Sequence, residues 1–138
     1  MKIFVPSAGP VPDRRTAGYI VKIAQRLNAK LVFLRVLAEN ETEVTGKKNL
    51  ELFNEIGRKE KVPVKIVLRR GDIASAIIDV ALENTVDLII MGVSHGEVVA
   101  EWMNAKAMEK TDIPVLLIPR WVPAAKRSAP IGSVNPET

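Results

Sequence analysis

The sequence predicts a single α/β domain whose mostly parallel sheet is covered by helices on both faces. Short β-branched and aromatic runs alternate along the chain with stretches that are apolar at helical spacing, and parallel strands need such crossovers. The run Leu31-Val32-Phe33-Leu34-Arg35-Val36-Leu37 is almost continuously apolar, as expected of a strand buried on both faces. At 138 residues the chain suits one core, and with 47% hydrophobic and 26% charged residues it is too apolar to be disordered.

Taken in order, Ile3-Phe4-Val5 forms a first short strand, closed by the breaker cluster from Pro6 to Pro12. Asp13 precedes an amphipathic helix with Ala17, Ile20, Ala24 and Leu27 on one face and Asn28 as its stop. Leu31 to Leu37 is the second strand. The polar stretch from Glu39 to Gly46 reads as a loop, after which Leu50, Phe53 and Ile56 mark a helix running to about Glu60, its end weakened by Gly57. Val62 to Leu68 is a third strand, placed at a sheet edge by Pro63. Gly71 turns the chain and Asp72 caps a helix carrying Ile73, Ile77, Val80 and Ala81, closed by Asn84. Val86 to Met91 is the fourth strand. The loop Gly92-Val93-Ser94-His95-Gly96 leads into a helix with Val98, Trp102, Ala105 and Met108 inward, and Val115 to Ile118 is the fifth strand. Residues 1–120 thus make the domain, and 121–138 a Pro-rich tail in which Trp121-Val122 offers an apolar anchor.

Composition closes several chemistries. Without cysteine there is no disulfide, iron–sulfur cluster or thiolate zinc site, and the single histidine, His95, has no carboxylate cluster around it that would hold a metal. No apolar run reaches the roughly 18–20 residues of a membrane span, and the start of the chain lacks the features of a signal peptide, so the expected location is the cytoplasm. The net charge of +4 is spread along the chain, so a solvated surface is expected and nucleic acid is not an expected partner.

Three stretches together resemble the universal stress protein A family: the start Met1-Lys2-Ile3-Phe4-Val5-Pro6, the segment from Gly71-Asp72 through Val86-Asp87-Leu88-Ile89-Ile90-Met91-Gly92, and the end Ile113-Pro114-Val115-Leu116-Leu117-Ile118. The resemblance covers about residues 1–120 and implies a Rossmann-like, adenine nucleotide alpha hydrolase-like sheet in the order 3-2-1-4-5. It also implies a homodimer through the last strand, Val115, Leu116, Leu117 and Ile118, and pairing there would hide an apolar edge.

With that strand order the crevice lies beyond the first and fourth strands, lined by the loops after Ser7 and after Gly92. In members that bind ATP, an aspartate two residues after the first strand's proline contacts the nucleotide, and a Gly-x-x-Gly-(nine residues)-Gly-Ser/Thr motif wraps its phosphates. This chain departs from both. Ala8 stands at the aspartate position, Gly96 comes one residue late, and the final pair is Lys106-Ala107 or Glu101-Trp102 according to register. Bulk and negative charge there oppose a triphosphate.

A weaker anion site is the candidate that remains, drawn from Ser7, Ala8, Arg14, Arg15, Gly92, Ser94, His95 and Gly96: a helix N-terminus follows Gly96, and two arginines in the first turn of a helix oppose its dipole unless an anion is near. For the arginines the preferred reading leaves both solvated, with Asp13 compensating. His95 titrates near neutrality but has no nucleophile or orienting carboxylate at hand, so no catalytic residue is assigned. Trp102 and Met103 read as core or subunit contacts. The favoured reading is a non-catalytic stress-response protein that acts as a dimer through an unidentified protein partner, with weak or no ATP binding and no required cofactor. The alternative is an ATP- or nucleotide-binding regulator, or slow ATPase, using a variant phosphate loop.

Overall fold

The computed structural model describes residues 1–7, 12–92 and 112–118 of the chain. Strand β1 (Lys2–Ser7) is followed by helix α1 (Arg14–Arg26), β2 (Lys30–Val36), α2 (Glu43–Asn49), α3 (Glu51–Glu60), β3 (Val64–Arg69), α4 (Ile73–Glu83), β4 (Leu88–Gly92) and β5 (Val115–Ile118). The five strands are parallel in the order β3-β2-β1-β4-β5, as the resemblance implied, with β3 at an edge as Pro63 suggested. The helix expected from Val98 to Met108 and the tail from 121 lie outside the described residues.

Strand periodicity divides the core into two layers. Ile3, Val5, Leu31 and Phe33 point to one face, where they pack with Ala17, Ile20 and Val21 of α1 and Phe53 of α3. Phe4, Val32, Leu34 and Val36 point to the other, against Ala76, Ile77, Val80 and Ala81 of α4. Both faces of β2 are buried, which is why its sequence does not alternate. Asp13 and Asp72 cap α1 and α4 through the N–H groups of Thr16 (2.8 Å) and Ser75 (2.9 Å).

The structure corrects four local expectations. The stretch after Glu39 is not all loop. Thr42 caps α2 through the Thr45 N–H, Glu43 sits in its first turn and Lys47 and Lys48 in its last. Such a helix is held by its ends, and it has no apolar stripe for periodicity to find. Gly57 is more than a weak point of its helix: it is buried, and a Cβ there would come within 2.5 Å of Val64 Cγ2 and 2.9 Å of the Val62 carbonyl. It marks a close helix–strand contact. Leu27 is exposed, since α1 ends before it and Asn28 turns left-handed at φ 53°. Ile73, expected on the packed face of α4, is also exposed, in the helix's first turn. Among the described residues no helix is long and apolar enough to cross a membrane.

Candidate functional site

The end of the β1–β4 ladder has a covalent cause in β1. Asp87 donates its N–H to the Lys2 carbonyl, so the even residues of β1 face β4. Pro6 falls in that set and has no N–H to donate, so the ladder to β4 cannot continue through it. Pairing between β1 and β4 is at Ile3–Leu88 and Phe4–Ile89, while the strands run on to Ser7 and Gly92. The β1–β4 ladder thus stops short of the carboxyl edge, where the strand order switches, and Gly92 continues its pairing on the far side, opposite Ile118 of β5.

Ser7 ends β1 buried, 7% exposed, in register with Arg35 of β2. The Arg35 Nη1 donates to Ser7 Oγ at 3.0 Å, and its Nε and Nη2 donate to the Glu41 carboxylate at 3.1 and 3.2 Å. Glu41 also accepts from the Ala38 N–H at 3.0 Å and from Asn49 Nδ2 at 3.4 Å. The Arg35 hydrogen bonds hold its carboxyl below the usual range, helped by the Ala38 N–H and opposed by burial. Arg70 ties the same loop down, donating to the carbonyls of Ala38 at 3.1 Å and Glu41 at 2.5 Å. A closed set of charge-assisted bonds therefore covers the ends of β1 and β2.

Arg14 and Arg15 open α1 beside this edge and are both exposed. Arg14 Nη2 lies 3.5 Å from Glu55 Oε1 of α3, which turns it toward the neighbouring helix. Ala8, Ser94, His95 and Gly96 lie outside the described residues. The Arg35–Glu41–Asn49 cluster was missed from sequence, although a signal for it exists: Arg35 is the one charge inside an otherwise apolar strand run, and a buried charge requires a partner.

The family model of the universal stress protein family matches residues 1–119. The chain belongs to that family. Curated protein sequences yield no match. Among solved structures, a universal stress protein in complex with cAMP superposes with a TM-score of 0.67 at 18% identity, covering 87% of this chain and 97% of its own. A universal stress protein from Archaeoglobus fulgidus in complex with dAMP gives 0.64 at 21% identity, covering 86% and 97%. A universal stress protein family protein from Arabidopsis thaliana with AMP bound gives 0.63 at 18% identity, covering 95% and 99%. At such identities the likeness speaks for the fold, and this universal stress protein shares the five-stranded order that its sequence resemblance implied.

Proposed function

We propose that this universal stress protein is a non-catalytic regulatory protein of the stress response, dimeric and cytoplasmic, working through a protein partner and holding ATP weakly or not at all. The observation that carries this reading is the state of Arg35. Its guanidinium, at the ends of β1 and β2, spends its fork on Glu41 and Ser7, and a triphosphate would have to displace a buried carboxylate to use it. Of the two arginines that open α1 at this edge, Arg14 already faces Glu55. The altered glycine motif and Ala8 act in the same direction. Dimerisation is supported by β5, the last strand of the sheet, where Leu116 and Leu117 are 41% and 42% exposed.

A second reading is favoured by the neighbours themselves, whose bound cAMP, dAMP and AMP are adenine mononucleotides. One phosphate asks less of a loop than three, so AMP is the nucleotide this altered edge would hold if it holds any. Calorimetric titration with ATP and AMP separates the two: silence with both supports a purely partner-directed protein, whereas AMP binding alone supports the mononucleotide reading. Sedimentation at micromolar concentration should give a dimer, and Leu117→Lys a monomer; a wild-type monomer removes the dimer from the proposal.

A further inference from the structure

The edge of the sheet opposite the crevice gathers three lysines that are far apart in sequence. Lys2 of β1 sits in register with Lys30 of β2, and Lys65 of β3 sits opposite Val32, two residues along the same face. They rim a recess of about 170 Å³ with Val32, Pro63 and Asn84 among its walls. Like charges on adjacent strands repel, and among the described residues none of the three ammonium groups has a carboxylate in ion-pair contact. The nearby Asp87 carboxylate accepts instead from the Lys2 backbone N–H at 2.8 Å.

Two of the ammonium groups are held in place before any ligand arrives. Lys2 Nζ donates to the Asn84 carbonyl at 3.0 Å and Lys65 Nζ to Asn84 Oδ1 at 2.9 Å. The Asn84 amide is itself fixed, because it is buried and its Nδ2 donates to the Val80 carbonyl at 2.9 Å. Each lysine spends one of its three N–H bonds on this cap, leaving two for a ligand. Lys30, exposed on the rim, supplies the third charge. Fixed donors lower the ordering cost of binding, and the recess is well below the several hundred cubic ångströms typical of sites for larger organic ligands.

We propose that this recess binds a small oxyanion carrying two or more negative charges, at a site separate from the crevice. Inorganic pyrophosphate is the probe. Titrated at neutral pH and constant ionic strength, it should bind in the millimolar range or tighter, and Lys30→Gln should weaken it by about fivefold, the loss of roughly 1 kcal/mol of charged contact. Lys48→Gln, which removes an equal charge from α2 at the other edge, should change affinity less than about twofold. Lys65→Gln should weaken binding as Lys30→Gln does, with circular dichroism reporting that each variant is folded. Absence of binding overturns the proposal, as does equal weakening by Lys30→Gln and Lys48→Gln, or binding untouched by Lys30→Gln, which would send the anion to the crevice.

Discussion

Arg35 and Glu41 form a two-pronged ion pair with side chains only 5% and 8% exposed, Nε meeting Oε2 at 3.1 Å and Nη2 meeting Oε1 at 3.2 Å. Such a pair gives little net stability over apolar replacements, but losing one partner strands the other's charge. It fixes the loop between β2 and α2 across the end of β1 through Ser7.

Glu41→Gln should therefore destabilise the fold by about 3 kcal/mol in urea unfolding, leaving Arg35 buried without its counter-charge. Adding Arg35→Met should recover most of that loss. A double variant as unstable as the sum of the singles would show that the pair is not coupled.

The same carboxylate makes stability depend on acid. Its folded pKa lies below the ordinary value, so the unfolded chain takes up the proton first as pH falls. Its contribution is complete above the unfolded value of about 4.3 and is lost as pH drops through the folded value. The stability gap between wild type and Glu41→Gln should thus narrow below about pH 4.5, and a gap constant to pH 3 would contradict this.

Gly57→Ala tests the contact between α3 and β3. Alanine favours a helix interior by about 1 kcal/mol, but its Cβ meets Val64 Cγ2 and the Val62 carbonyl. Overpacking should win, with a net loss of about 1–2 kcal/mol in thermal or urea unfolding. A gain would mean that β3 moves aside freely.

Thr85 offers a change of opposite sign. It is exposed and left-handed at φ 53° just past α4, a conformation that a β-branched residue adopts with strain. Thr85→Asn should raise stability by up to about 1 kcal/mol, read as a higher urea midpoint.

The alternation of strands and helices was legible because buried parallel strands and amphipathic helices leave strong patterns, as at Leu31–Leu37 and Ala17–Ala24. Helix α2 was not, since Thr42, Glu43 and Lys47 hold it by its ends and only Gly46 is buried. Gly57 read as a weak point from propensity alone, because the neighbour that demands it, Val64, comes from another element. Ser7 and Arg14 were legible as residues at the carboxyl edge, but their partners were not: Arg35 and Glu55 reach them across the fold. Lys2, Lys30 and Lys65 looked like dispersed surface charge until strand register set them around one recess.

Calorimetric titration of the nucleotide-stripped protein with ATP, with and without magnesium, tests the proposed function most directly. With Arg35 closed on Glu41 and the glycine motif altered, no heat of binding is expected below millimolar ATP. Stoichiometric ATP binding in the micromolar range would contradict that reading and establish a working variant of the phosphate loop.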